Sequence, residues 1–136
     1  MDIMLDLETL STKPDATVLT FGACKFNPYK QEDIDKGIYF RINVDEQITL
    51  GRDVDDSTVE WWGKQAEDVR EEALGDGDRI TLEQFWQIRD SRTLLSTHGD
   101  PREKNKVGLH NALEDAVSQA QAVQHVFNAC SITEKR

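Results

Sequence analysis

Two acidic residues near the start of the chain have the types and the spacing of a metal site. Asp6 and Glu8 lie within residues 3–8, where apolar residues recur at every second position, as in a β-strand. Residues two apart in a strand project from the same face, so both carboxylates should emerge together. A buried pair of carboxylates needs a compensating charge, and hard divalent cations bind carboxylate oxygens. We expect a central strand and a metal site; an edge strand with two solvated acids is the alternative.

A second pair of polar residues, His110 and Asp115, stands at the start of the last predicted helix. Asn111 and Glu114 have the spacing of a capping box, which predicts that this helix begins just after Asn111. His110 then precedes the helix, and Asp115 lies in its first turn, at the border of the apolar face. Histidine titrates near neutral pH and can act as a general base, while Asp115 can point into a cleft. An ordinary loop histidine is the alternative for His110.

Three strands are predicted to hold the first acidic pair in place. They cover residues 3–8, 17–26 and 37–44, where β-branched, aromatic and other apolar residues alternate or run together. Pro28 ends the second strand, because proline cannot donate to a ladder of hydrogen bonds. The links between the strands are short, which favours an antiparallel meander.

Helices are predicted to follow the strands. Residues 59–62 follow a capping signal at residues 56–58, residues 66–74 are good helix formers, and Thr81 is a candidate cap for a short helix. We expect residues 85–95 to form an extended segment that runs into a short helix, and residues 98–108 to form a polar loop. Strands followed by helices predict an α/β or α+β domain. The last helix carries an apolar stripe at helical spacing, made of Leu113, Ala116, Val117, Ala120, Val123 and Phe127.

The composition limits the class of protein. The 136 residues fit a single domain spanning residues 1–136, because domains commonly have about 100–150 residues. The net charge of −10 excludes a general binder of the phosphate backbone, but not an enzyme that meets nucleic acid at a metal-filled cleft. No apolar run approaches the roughly 18 residues of a membrane span, and no secretory signal opens the chain. With two cysteines that lack metal-ligand spacing, we predict a cytoplasmic protein without a membrane partner.

The one basic stretch of the sequence runs from Arg79 to Lys106. This stretch is either a solvated loop or an edge that faces phosphate groups. Trp61 and Trp62 lie in a predicted helix, and we expect them to pack against other elements rather than to stack on bases.

The two pairs of polar residues together resemble the ends of the DEDD-type 3′–5′ exonucleases, in the histidine-bearing branch with a ribonuclease-H-like fold. Asp-x-Glu on a first strand and His-x-x-x-x-Asp entering a late helix carry this resemblance. Further words support it in order: MLDLETL, VLTFGACKFNP, STVEWWGKQ, FWQIRDSRTL and GLHNALEDAVSQA. The series is similar to the phage exonuclease A type and to its mycobacterial exoribonuclease-like relatives.

This resemblance implies hydrolysis of single-stranded DNA or RNA from the 3′ end, with two Mg²⁺ or Mn²⁺ ions. Asp6 would bridge both ions, Glu8 would hold one, and Asp115 would complete a metal site. His110 would orient or deprotonate the attacking water. The catalytic residues implied are Asp6, Glu8, His110 and Asp115, and the metal ligands are Asp6, Glu8 and Asp115.

One feature of that family is missing from the sequence. The family has a fourth acid, in an Asn-x-x-x-(Phe or Tyr)-Asp word between the second and last motifs, and no residue here matches it. The chain passes from Gln84 to Phe85 where a strand and a helix are expected, so we predict an internally truncated α/β exonuclease fold. Loss of a ligand should impair activity, which leaves an inactive prophage-type remnant or a binding module as the alternative. The surface bared by such a deletion favours a homodimer.

Overall fold

A computed structural model describes residues 1–34, 37–87 and 111–134 of the chain, with residues 86 and 87 described by their backbone alone. The predicted features of residues 88–110 therefore lie outside the described residues. These features are the end of the extended segment, the polar loop, the basic residues beyond Arg79, and His110.

The described residues form a mixed α/β structure with a four-stranded sheet. The first three strands pair in antiparallel order, which confirms the predicted meander. The fourth strand is short and runs parallel to the third, a pairing that the sequence did not indicate. The strands are β1 (Asp2–Thr9), β2 (Val18–Phe26), β3 (Ile38–Ile42) and β4 (Arg79–Ile80). The helices are α1 (Val44–Thr49), α2 (Asp56–Gly63), α3 (Glu67–Leu74), α4 (Leu82–Gln87) and α5 (Ala112–Ala129).

Strand β1 lies at an edge of the described sheet, whose order is β1-β2-β3-β4. Within the described residues the expected central position is therefore wrong, because no described strand pairs with the other side of β1. The exposed fractions of Ile3, Leu5 and Leu7 are 64%, 50% and 43%, so the apolar face of this strand is largely uncovered by the described elements. The predicted homodimer stays a prediction.

Strand β3 is shorter than predicted, because helix α1 begins at Val44. The side-chain oxygen of Asn43 accepts a hydrogen bond from the Glu46 backbone N–H at 3.0 Å, which caps the new helix. Asn43 followed three residues later by Glu46 has the form of a capping box, a local signal that the alternating pattern of residues 37–44 obscured.

Helix α4 runs through the Gln84–Phe85 position without a break. The expected cap is confirmed, since the Thr81 hydroxyl oxygen accepts from the Gln84 backbone N–H at 3.1 Å. The expectation that residues 85–87 are extended is wrong. The Phe85 ring packs edge to face on Phe21 of β2, with ring centroids 5.3 Å apart, so a long-range contact stabilises the added helical residues. The predicted internal deletion at this position remains a prediction.

Helices α3 and α5 begin close to their predicted positions, but the predicted cap of α2 is wrong. Asp55 caps this helix by accepting from the Thr58 backbone N–H, so residues 56–58 form its first turn. Trp62 of α2 is 1% exposed and donates its indole N–H to the Thr9 carbonyl at 2.9 Å, which confirms its packing role and ties α2 to the end of β1. None of the helices in the described ranges has the length and apolar content to cross a membrane. One group of buried side chains joins α2 and α3 to the sheet, namely Leu10, Leu19, Trp62, Val69 and Ala73. A second joins α5 to the sheet, namely Cys24, Phe26, Ala116 and Ala120.

Candidate active site

The pleat of β1 places Asp6 and Glu8 on one face of the sheet, as the sequence predicted. Asp6 lies directly across from Gly22 of β2, and Glu8 directly across from Thr20. Directly opposed residues of antiparallel strands project from the same face, so these four residues share one side of the sheet. Both acids are half-buried, in contrast to the exposed Asp2 on the same face of the strand.

Gly22 allows the start of helix α5 to sit directly on this face. A Cβ atom at Gly22 would lie 2.2 Å from the Leu113 nitrogen and 2.3 Å from the Ala112 carbonyl carbon, far inside van der Waals contact. Glycine is therefore required at this position by close approach of two backbones. Because Gly22 is paired with Asp6, the first turn of α5 is brought next to the acidic pair.

Helix α5 begins where the capping pattern predicted. The Asn111 side-chain oxygen accepts from the backbone N–H groups of Leu113 and Glu114, at 3.0 and 3.2 Å. Asp115 lies in the first turn and is half-buried. The structure thus places Asp115 as expected relative to the cap, while His110 lies outside the described residues.

Asp6, Glu8 and Asp115 come together in what we call the acidic cluster. One carboxylate oxygen from each residue lies within 4.8 Å of those from the other two. Within the described residues this is the one group of three or more histidine, cysteine or acidic side chains close enough to hold a metal ion. The predicted proximity is observed, and the role of these residues as ligands stays a prediction.

The charges of the acidic cluster are poorly compensated by the protein. Burial raises the pKa of Glu8 to about 8, with further contributions from the charges of Asp6 and Asp115 and from a hydrogen bond with Asp115. Burial also raises the pKa of Asp6, partly offset by a hydrogen bond from Gln119. The ion pairs of the described residues, Lys13–Asp53 and Lys64–Glu60, lie elsewhere.

Two polar neighbours of the acidic cluster were not predicted from the sequence. Gln119 of α5 donates its side-chain N–H to Asp6 Oδ1 at 3.2 Å. The Thr20 hydroxyl, opposite Glu8, is fully buried and has no hydrogen-bond partner in the described part of the chain. The spacing of Gln119, one turn after Asp115, is the local signal that could have identified the first of these.

The residues present fit a divalent cation. Three half-buried carboxylates provide the oxygen ligands that Mg²⁺ and Mn²⁺ prefer. A bound cation reverses the local preference for protonation, because it stabilises the ionised form of each carboxylate.

The surroundings of Arg79 and Trp61 can be compared with the roles that the sequence predicted for them. Arg79 belongs neither to a solvated loop nor to a phosphate-facing edge, because its guanidinium donates to the carbonyls of Leu19, Ile42, Ala73 and Gly75 inside the fold. Trp61 is 42% exposed, and its ring meets that of Trp62 edge to face at 5.0 Å.

Comparison with known protein families gives one match. Residues 1–87, which include Asp6 and Glu8 of β1, match the family model described as the 3′–5′ exoribonuclease Rv2179c-like domain. No curated protein matches the chain, and no solved structure matches it.

Proposed function

Because the chain belongs to the 3′–5′ exoribonuclease Rv2179c-like domain family, we propose that it hydrolyses single-stranded RNA from the 3′ end with divalent metal. The observation that carries the proposal is the convergence of three carboxylates from β1 and α5 within 4.8 Å. The matched family accounts for the reaction class, and the acidic cluster supplies the chemistry that this reaction needs. Single-stranded DNA is the alternative substrate.

The acidic cluster supplies the ligands in this proposal. Asp6, Glu8 and Asp115 would hold Mg²⁺ or Mn²⁺, and an ion bound there supplies Lewis-acid activation of the phosphodiester. Half-burial of the three carboxylates limits their hydration, which favours a tightly held cation over loosely screened charges. Their fixed positions on a strand and a helix orient the bound phosphate before reaction.

The finer features of the proposal come from the resemblance of the sequence to the histidine-bearing DEDD exonucleases. By that resemblance, His110 would take up the proton of the attacking water, and Asp6 would be a ligand of the bound metal. The fourth acid of that family has no counterpart here, so we expect turnover well below that of a complete relative. An incomplete ligand set misplaces the reacting groups, and small misplacements lower rates strongly.

The proposal is tested with a single-stranded oligoribonucleotide labelled at its 5′ end. We expect the full chain with Mn²⁺ to produce a ladder shortened from the 3′ end, and EDTA to abolish it. Each of the substitutions Asp6→Asn, Glu8→Gln and Asp115→Asn should lower the rate by roughly 100-fold or more. The same oligonucleotide made of DNA decides the substrate class.

Asp2→Asn is the matched control, because Asp2 lies on the same face of the same strand but is exposed and outside the acidic cluster. It should digest RNA at the wild-type rate. Metal-dependent digestion that survives Asp6→Asn would contradict the proposed site. Internal cleavage of an oligonucleotide blocked at its 3′ end would contradict the exonucleolytic reaction.

A further inference from the structure

Gln119 contacts the acidic cluster without belonging to the core. Its side chain is exposed, and its Nε2 atom lies 3.2 Å from Asp6 Oδ1. Gln119 follows Asp115 by four residues on α5, and residues four apart share a helix face. One face of α5 therefore presents both a carboxylate to the cluster and an amide donor to Asp6.

The carboxylate of an aspartate needs such a partner to hold one orientation. The last side-chain torsion of aspartate is broad, so packing alone does not fix which oxygen points toward a ligand. The hydrogen bond from Gln119 to Oδ1 restricts this rotation, beside a hydrogen bond from the Leu7 backbone to the same carboxylate, and it leaves Oδ2 free of the Gln119 contact. The carboxylates of metal sites are commonly held by hydrogen bonds of this kind, whose loss weakens metal affinity.

We infer that Gln119 is a positioning residue for Asp6, which orients its carboxylate so that the second oxygen is directed to a divalent cation. The inference rests on the proposed function, because it assigns Gln119 a role only at a metal-binding acidic cluster. The amide also supplies the one neutral donor that the described residues offer to Asp6 from a side chain. A lysine at this position would compete with the cation, whereas an amide compensates charge without doing so.

Two other glutamines of α5 separate positioning from helix stability. Gln124 is 3% exposed and donates to the Asn27 carbonyl at 3.1 Å, so its amide serves the packing of α5 on the sheet. Gln121 is exposed and lies away from the cluster, beside Gln31 and Glu32. Methionine has nearly the shape of glutamine but cannot donate a hydrogen bond, so the same substitution can be made at all three positions.

The experiment measures Mn²⁺ binding to the full chain by calorimetric titration, together with the melting temperature of the metal-free protein. Gln119→Met should raise the Kd for Mn²⁺ by roughly threefold to tenfold and leave the melting temperature unchanged. Its rate of RNA hydrolysis should fall at low Mn²⁺ and recover when Mn²⁺ is in excess, a rescue that a structural role would not produce.

The controls have opposite expected results. Gln121→Met should change neither quantity, whereas Gln124→Met should lower the melting temperature without changing the Kd of the folded protein. Wild-type affinity for Mn²⁺ in Gln119→Met would overturn the inference, as would weak binding that excess Mn²⁺ does not rescue. If the wild-type chain binds no Mn²⁺, or if its binding survives Asp6→Asn, the proposed function itself fails.

Discussion

Two regions of the molecule hold charged side chains inside the fold, and they treat those charges in opposite ways. The acidic cluster gathers Asp6, Glu8 and Asp115 so that like charges face one another. The second region, which we call the arginine clamp, consists of Arg41 and Arg79 bound to the end of helix α3. Hydrogen-bond acceptors of the protein surround the charges of the arginine clamp, whereas the carboxylates of the acidic cluster mainly face one another.

The arginine clamp donates its hydrogen bonds to backbone carbonyls. The carbonyls at the end of a helix carry partial negative charge, so a guanidinium is stabilised there. Arg41 and Arg79 also close the connection between α3 and β4, because both donate to the Gly75 carbonyl. The other carbonyls that accept from them belong to Leu19, Ile42, Glu71, Glu72, Ala73 and Gly77.

The difference distinguishes a structural use of charge from a functional one. In the arginine clamp, burial and the neighbouring charge of Arg41 lower the pKa of Arg79, and the charges of Glu72 and Asp76 oppose that shift, so the protein itself supplies the compensating groups. In the acidic cluster Gln119 supplies one N–H to Asp6, while burial and mutual repulsion raise the pKa of Glu8 to about 8. Groups with strongly shifted pKa values at a cluster of like charges are typical of functional sites, where a ligand completes the compensation.

Among the substitutions that test the difference between the two regions, Gly22→Ala should have the largest effect on stability and on Mn²⁺ binding. The new methyl group would collide with the backbone of Ala112 and Leu113, so the start of α5 must move away from the sheet. We expect the free energy of unfolding to fall by about 3 kcal/mol, and Mn²⁺ binding to weaken because Asp115 moves with the helix. Urea denaturation and Mn²⁺ titration measure the two losses.

Gly63→Ala is the matched control for that substitution. A Cβ atom at Gly63 would have no atom within 4 Å, so stability and Mn²⁺ binding should both remain near the wild-type values. If Gly22→Ala left both quantities unchanged, the close approach of α5 to β2 would not be what assembles the acidic cluster.

A smaller effect is expected from Arg79→Met, which removes half of the arginine clamp. The substitution leaves the carbonyls of Leu19 and Ala73 without these donors, and we expect a loss of about 2 kcal/mol in the free energy of unfolding. The affinity of the folded protein for Mn²⁺ should not change. Arg70→Met, which removes one surface hydrogen bond to the Gly63 carbonyl, should change stability by less than about 0.5 kcal/mol. Weaker Mn²⁺ binding by folded Arg79→Met would show that the two regions are coupled.

The smallest effect concerns pH. The pKa of Glu8 rises from 4.5 to about 8 on folding, so between these values the folded protein binds more protons than the unfolded chain. Stability from this group is fully present below pH 4.5 and is lost as pH rises through about 8. After allowance for partial exposure, we expect the metal-free protein to lose about 1 kcal/mol between pH 5 and pH 8. Urea denaturation in EDTA at both pH values measures this loss.

Glu8→Gln should reduce that dependence on pH, while Glu60→Gln, which removes an exposed carboxylate, should leave it unchanged. Asp6 also has a raised pKa, so a smaller dependence of the same sign should remain in Glu8→Gln. With saturating Mn²⁺ the sign should reverse, because the cation binds the ionised carboxylates. Stability that rises with pH in EDTA would contradict a raised pKa of Glu8 in the folded protein.

The sequence alone determined the features that depend on neighbouring residues in the chain. The period of two in residues 3–8 fixed that Asp6 and Glu8 share a face, because the pleat of a strand allows no other arrangement. Asn111 fixed where α5 begins, because a side-chain cap acts within a single turn.

Only the tertiary structure decided how these elements meet. Strand order placed β1 at the edge of the described sheet, since pairing depends on distant segments and not on the apolar character of a strand. The contact of Phe85 with Phe21 favoured a helix where the local pattern predicted an extended segment. Because Gly22 has no side chain, helix α5 packs directly on the sheet face that carries Asp6 and Glu8. This packing brings Asp115 next to two residues more than a hundred positions away in the chain. Such contacts depend on shape and distance in the folded state, which local periodicity does not encode.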